Sequence, residues 1–433
     1  MSIEERLYAE LNILPKGYIS GKKIHGREYY YLQHEENGRT VSEYIKISEL
    51  DNVRLALKRR KEIEEILVKN NSGTRYMPKP TKRSRELTGS LMMEDTEVAR
   101  FEKGICISRN DALCPLFIKR TGNITDYLAS RAIDRNRTNS RILKKILRIN
   151  ETEDSMTALH SYGATITDNY WFRTSGSKLK YSDISFTKDY YSEIALKGEI
   201  LYYPKHPRYT PQLTLTGSYE KCWRRIEDKW WLYKKGSDRE IFSEIFCAEL
   251  AHIMKIPTVR YEYDEGFIRT KNFAEKYNFE PMTSVAGEDD NYEKVFQELN
   301  KISRGIAKQY LKLVLFDLIV NNVDRHNENC GLLRDKKNGR IISLAPNFDN
   351  NLALISRCET LNMKPAEDGL IKCFMKFLKS NTLAAAYCKE IKFPDITADK
   401  IEKILDKNPL SFPQYDIKQY IVKRYKYVLS AVL

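Results

Sequence analysis

No two cysteines of this chain form a C-x-x-C pair: Cys106, Cys114, Cys222, Cys247, Cys330, Cys358, Cys373 and Cys388 are scattered along it. That spacing argues against a zinc ribbon or a disulfide frame and fits reduced, mostly buried thiols. Histidine is scarce, six in 433 residues, and none sits at metal-ligand spacing. Long apolar runs are missing as well. The longest, Leu311 to Val320, is broken by Lys312 and Asp317 and is too short to span a bilayer. The first residues, Met1-Ser2-Ile3-Glu4-Glu5-Arg6, lead into no apolar stretch, so no secretory signal is read and a cytoplasmic location is the expectation. No internal repeat is present.

What the chain does have is length for two or three domains and a positive charge of +14. The charge is uneven. Asp51 to Ser90 carries eleven Lys/Arg against five Asp/Glu, and Ile118 to Arg148 nine against two. Such stretches raise nucleic acid or another acidic partner, although a solvated basic face is the commoner explanation of either run alone.

The densest chemistry lies at Asn322-Val323-Asp324-Arg325-His326-Asn327-Glu328-Asn329, followed by Asn347-Phe348-Asp349. Phosphoryl transfer asks a protein mainly for positioning and charge neutralisation. One Asp must orient a hydroxyl, while an Asn and a second Asp hold Mg²⁺, a hard cation that takes one or two protein carboxylates. Leu311, Val314, Leu315, Leu318 and Ile319 recur at helical spacing, so a buried helix runs into the motif and ends at Asn321-Asn322. Gly331 to Arg334 reads as a strand, Asn338-Gly339 as a hairpin turn and Arg340 to Leu344 as the returning strand. That hairpin carries Asp349 back to the end where Asn329 lies.

Asp-Arg-His-x-x-Asn with a Phe-Asp after the next hairpin resembles the HipA-like kinases, a branch of the protein-kinase-like fold. Phosphoinositide 3/4-kinases share the first of the two motifs. The resemblance implies Asp324 as catalytic base, Asn329 and Asp349 as Mg²⁺ ligands, and His326 as a brace of the catalytic loop. It also implies a nucleotide-binding half upstream. Thr214-Leu215-Thr216-Gly217-Ser218-Tyr219-Glu220-Lys221, preceded by Pro211, is similar to the family's phosphate loop and marks Thr214, Thr216, Gly217, Ser218 and Lys221 for ATP. Lys229 to Lys234 reads as an aromatic strand, with Lys234 on the phosphates and Lys235 on the opposite face. Ser237-x-x-Glu240 is a capping box, which occupies Glu240 and leaves Glu244 to pair with Lys234. The loop has a single glycine where ordinary protein kinases carry three, a departure that fits the narrower family. Some of that family phosphorylate a hydroxyl in this loop; Thr214, Thr216 and Ser218 are the candidates, Thr214 nearest the family position.

The implied architecture is α+β: a two-lobed protein-kinase-like fold with a β-rich N-lobe over 206–300 and a helical C-lobe over 301–433. An accessory subdomain is expected at 99–205, a linker at 73–98 and a small module at 1–72. In that module Gly17–Ile24, Arg27–His34 and Arg39–Ile47 read as strands joined by turns at His25-Gly26 and Asn37-Gly38. A helix follows from Ser48, with Leu50, Val53, Leu57, Ile63 and Leu67 on one face and Lys58-Arg59-Arg60-Lys61 on the other. Three strands, a helix and Tyr29, Tyr30 and Tyr31 on the middle strand resemble the arm-type DNA-binding domains of phage integrases; a docking module has the same pattern.

Two functions follow. The first is an ATP- and Mg²⁺-dependent serine/threonine protein kinase, which the resemblance places in a bacterial toxin–antitoxin or phage-defence setting with an antitoxin or regulatory protein as partner. The second is a nucleic-acid-binding regulator whose kinase fold is inactive or secondary. A small-molecule or lipid kinase shares the Asp-Arg-His-x-x-Asn motif and stands as a third option.

Overall fold

A computed structural model describes residues 14–24, 27–36, 39–45, 49–50, 53–54, 56–57, 60, 87–151, 153–199 and 209–432. The chain divides into two compact units, Met1–Pro80 and Thr81–Leu433.

The first unit holds an antiparallel sheet of β1 (Tyr18–Ile24), β2 (Arg27–Glu36) and β3 (Arg39–Ile45), in the order β1-β2-β3. Residues 50, 53, 54, 56, 57 and 60 are helical. Side chains alternate across a strand. Tyr30 therefore lies on the helix side, where Arg54 covers its ring, while Tyr29 and Tyr31 cluster with Tyr44 on the other face. The two turns, Lys58, Arg59, Lys61, Ile63, Leu67 and the stretch 73–86 lie outside the described residues.

The second unit begins earlier than the expected accessory boundary. Gly89–Met93, placed in the linker by sequence, is a central strand: β4 pairs with both β5 (Thr96–Glu102) and β7 (Tyr170–Thr174), and β6 (Ile105–Arg109) closes the order β6-β5-β4-β7. Leu91, Val98, Phe101 and Phe172 pack under it with Ile118, Ile124 and Leu128 from two short helices. Pro78, Pro80, Gly73 and Gly89 read as a linker, but Leu91, Met92 and Met93 are apolar and buried, and their burial makes this segment a strand.

The next sheet, in the order β10-β11-β9-β8, consists of β8 (Lys221–Ile226), β9 (Lys229–Lys235), β10 (Glu262–Asp264) and β11 (Phe267–Lys271). The helix Asp238–Ile253 follows β9. Its Ser237 accepts from Glu240 N–H while Glu240 accepts from Ser237 N–H, a capping box. A third sheet joins β12 (Tyr277–Pro281), β13 (Gly331–Asp335) and β14 (Ile341–Leu344).

The expected lobe boundary at 300/301 cuts through one continuous core. Phe242, Phe246 and Leu250, then Val295, Phe296 and Leu299, pack with Leu311, Leu315 and Phe316 of the helix Arg304–Val320 and with the C-terminal helices. β12 also pairs across that boundary with β13. Buried Glu280 on β12 and Arg334 on β13 form an ion pair that reaches into the accessory region: Glu280 accepts from Leu116 N–H, and Arg334 donates to Ala112 O and Cys114 O. Pairing a buried charge on both sides is what makes its desolvation tolerable.

The basic stretch Ile118 to Arg148 divides: Arg135, Arg141, Lys145 and Arg148 are exposed, while other basic residues in it have internal partners. Arg120 donates to the carbonyls of Thr283 and Ser284, Arg131 pairs with Asp168, and Arg137 is buried. All eight cysteines are free thiols. Among the described residues no helix is long and apolar enough to cross a membrane.

Candidate active site

The helix Arg304–Val320 ends at Asn321, whose left-handed backbone (φ 54°) turns the chain out of the helix. Asp324 and His326 follow on a loop, 35% and 41% exposed at the side chain. Asp317, one turn before the helix end, is the acid within the apolar run and needs a partner. Arg325 supplies it. Its guanidinium takes both carboxylate oxygens of Asp317 at 3.0 Å and also donates to Asn329 O, Phe348 O and the side-chain oxygens of Asn347 and Asn350. One side chain thus ties the catalytic-loop candidate to the segment carrying Asp349. Burial lifts the Asp317 carboxyl above its ordinary value, although Arg325 and Asn322 pull it down. The sequence reading gives Arg325 no role; the signal for one is Asp317, an acid flanked by Leu313 to Phe316 and Leu318 to Val320.

His326 Nδ1 accepts from Glu328 N–H, so the proton of the neutral ring sits on Nε2, facing Asp324 Oδ2 at 4.0 Å. Asn329 Nδ2 donates to Asp324 O at 2.9 Å, and its carboxamide oxygen has no hydrogen bond among the described residues.

Lys234 is buried on β9, and Lys235 is exposed on the opposite face. Lys234 Nζ lies 3.5 Å from Glu244 Oε2 and is hydrogen-bonded to Asp349. Burial opposes its charge, yet Asp349 and then Glu244 raise the ammonium above its ordinary range. Asp349 has the reverse balance. Burial would raise it, but Lys234 and Lys221 outweigh that and hold its carboxyl down at about 2. Its backbone is left-handed (φ 60°), a region in which Asp is tolerated better than most residues. Tyr261 Oη accepts from Asp349 N–H, and Glu244 Oε1 accepts from Asn350 N–H.

Lys234, Tyr261 and Asp349 line one cavity of ≈ 370 Å³ together with Thr214, Thr216, Gly217, Ser218, Lys221, Asp324, His326 and Asn329, and buried Glu244 is paired with the lining Lys234. Its inner wall is apolar. Phe273 and Phe348 stack, Phe279 meets both edge-on, and Val259, Leu232 and Trp223 extend the wall. Lys221 and Lys234 line the same cavity as this apolar wall. Tyr219 fastens the loop at the mouth: its hydroxyl donates to Glu240 at 2.6 Å, and Lys234 lies under its ring.

Glu244, Lys234, Asp349, Asp324, His326 and Asn329 are therefore gathered at one place. Thr214 differs from the other loop hydroxyls. It is 5% exposed and donates to Ala164 O at 2.5 Å, whereas Thr216 and Ser218 are exposed. Its helical turn Pro211–Thr214, capped by Thr210, pulls it into the core.

The fold is similar to that of a solved structure. The toxin–antitoxin protein HipA of Shewanella oneidensis MR-1, solved with HipB and operator DNA, superposes with a TM-score of 0.53 at 11% identity over 80% of this chain and 96% of its own. The fold is kinase-like. A Helicobacter pylori proinflammatory kinase, CtkA, aligns at 18% identity over 49% of this chain and 90% of its own, with a TM-score of 0.39. Residues 2–55 match a family described as a domain of unknown function, DUF6788. No curated protein matches the sequence.

The residues fit a magnesium–nucleotide complex. Asp349 is a carboxylate held ionised and Asn329 offers a carboxamide oxygen, both on the cavity wall. Among the described residues no group of three or more His, Cys, Asp or Glu could hold a metal by itself. Mg²⁺ needs no such cage, because phosphate oxygens and water complete its shell.

Proposed function

We propose that this protein is an ATP- and Mg²⁺-dependent kinase of the HipA-like type that phosphorylates a Ser or Thr hydroxyl of a protein. The observation that carries the reading is Lys234 between Glu244 and Asp349, with Asp324 on the same cavity. Lys234 holds the nucleotide phosphates, Glu244 fixes the lysine, and Asn329 and Asp349 hold the metal. Mg²⁺, when bound, supplies charge neutralisation on the phosphates. Asp324 orients the acceptor hydroxyl and takes its proton. The bond from the γ-phosphorus to the bridging oxygen breaks, a bond to the acceptor oxygen forms, and ADP leaves. His326 braces the loop through Glu328 N–H.

HipA of Shewanella oneidensis was solved with an antitoxin and DNA, and the same class of partners is proposed for this chain in a bacterial toxin–antitoxin or phage-defence setting. The Tyr29, Tyr31 and Tyr44 cluster of the N-terminal sheet is the proposed nucleic-acid contact of that module, since aromatic faces accept bases of any sequence.

The test is radiolabelled-ATP incorporation with Mg²⁺ by the wild type beside Asp324→Ala and Asp349→Ala, with and without lipid vesicles. Label on protein with the wild type alone supports the reading. Label appearing only on lipid replaces it with a lipid kinase, and nucleotide binding without label in any condition replaces it with a binding protein on a kinase fold.

A further inference from the structure

Arg137 lies in the accessory region, 80 residues before Gly217 of the phosphate loop, and is 1% exposed. Its guanidinium is spent on main-chain carbonyls of one short segment. Nη2 donates to Leu215 O at 2.6 Å, Thr216 O at 3.0 Å and Gly217 O at 2.8 Å, Nε to Gly217 O at 3.1 Å, and Nη1 reaches Lys221 O at 3.5 Å. The acids that act on it, Asp134 and Glu220, do so through space without a hydrogen bond. A buried guanidinium whose hydrogen bonds all go to main-chain carbonyls is an unusual expense for a fold, because a buried charge is ordinarily paired directly with a carboxylate.

The N–H groups of the loop carry the second observation. With its carbonyls gathered inward, the loop leaves the N–H groups of Thr216, Gly217, Ser218 and Tyr219 without a hydrogen-bond acceptor among the described residues. Gly217 has φ +91°, and a Cβ there would sit 2.4 Å from Lys221 Nζ. Successive unpaired N–H groups around a positive-φ glycine, with lysines beside them, form an anion-binding concavity.

We propose that Arg137 is the positioning residue of the phosphate loop, holding its carbonyls on one side so that its N–H groups face the cavity and receive a polyphosphate. The proposal rests on the kinase reading only for the identity of that polyphosphate as ATP. Arginine suits the task because its planar fork presents five donors in fixed directions, where a lysine ammonium has three at a point. The positive charge beneath the loop then finds its counter-charge in the ligand. The accessory region is on this account a working part of the nucleotide site.

Calorimetric titration of wild type and Arg137→Lys with Mg·ATP, adenosine and inorganic tripolyphosphate tests this. Losing charge-assisted hydrogen bonds that shape the loop weakens ATP and tripolyphosphate on the order of tenfold or more and leaves adenosine unchanged. Equal affinity of the two proteins for both polyphosphates overturns the proposal, and so does a loss for adenosine as large as that for ATP, which would mark general damage. Wild-type binding of tripolyphosphate without ATP or adenosine sinks the kinase reading alone, and the Arg137→Lys comparison still decides this one. Wild-type indifference to all three sinks both. Should Arg137→Lys fail to fold, Arg137→Gln, which keeps a neutral donor and removes the buried charge, carries the same comparison.

Discussion

Lys221 and Lys234 stand directly opposite each other across the β8–β9 ladder, and both line the cavity. Like charges opposed on one sheet face repel. Asp349 relieves one of them: Lys234 is hydrogen-bonded to it and keeps its charge. Lys221 fares differently. Burial, with Arg137 and Lys234 nearby, pushes its ammonium down to about 8, against the pull of Asp349. The pair therefore divides into a permanent cation and one that titrates near neutrality.

A pH dependence of nucleotide binding follows from Lys221. Below about pH 8 it is charged and meets the phosphates; above, it is neutral and does not. KM for ATP is expected to rise as pH increases through about 8, and Lys221→Met should have a high KM without that inflection. The effect on folding runs the other way. The unfolded chain holds the proton up to its ordinary value of 10.5, so the cost of charging Lys221 is relieved as pH rises from about 8 toward 10.5. Steady-state kinetics from pH 6.5 to 9.5 on both proteins checks the first statement; an unchanged KM in the wild type would refute it.

Asp324→Ala should lower phosphoryl transfer by roughly 10²–10⁴-fold, the usual worth of a positioned acid–base group. Its side chain is about one-third exposed, so the melting temperature and the affinity for ATP should hardly move. A loss of tenfold or less would remove Asp324 from the role of base.

Arg325→Met leaves Asp317 buried without its cation and frees the carbonyls of Asn329 and Phe348. Breaking a buried pair by removing one partner costs about 3–5 kcal/mol. Urea unfolding of the two proteins measures it. The deficit should shrink at acid pH, where Asp317, already lifted by burial, takes up a proton and the orphaned charge disappears.

If the loop phosphorylates itself, the label belongs on Thr216 or Ser218. Both are exposed, whereas the Thr214 hydroxyl is committed to Ala164 O. Mass spectrometry after incubation with Mg·ATP distinguishes them, and phosphate on Thr214 would require the turn Pro211–Thr214 to open.

The local pieces of this protein were legible in its residues. The helix that ends at Asn321, the Asn338-Gly339 hairpin and the Ser237 capping box depend on contacts within a few residues, so pattern and turn chemistry suffice to find them. The choice of Glu244 over Glu240 also came from local capping, and Glu244 does lie beside Lys234. Other features needed the tertiary structure. Lys234 and Asp349 are 115 residues apart, Arg137 and Gly217 80, and Glu280 and Arg334 54. Burial decided those partnerships: a charge taken out of water must find whatever donor or acceptor the packed chain brings to it, and no sequence spacing encodes which. Burial likewise takes Arg137 out of the basic stretch and onto the carbonyls of the phosphate loop, and it places the candidate hydroxyl of Thr214 in the core.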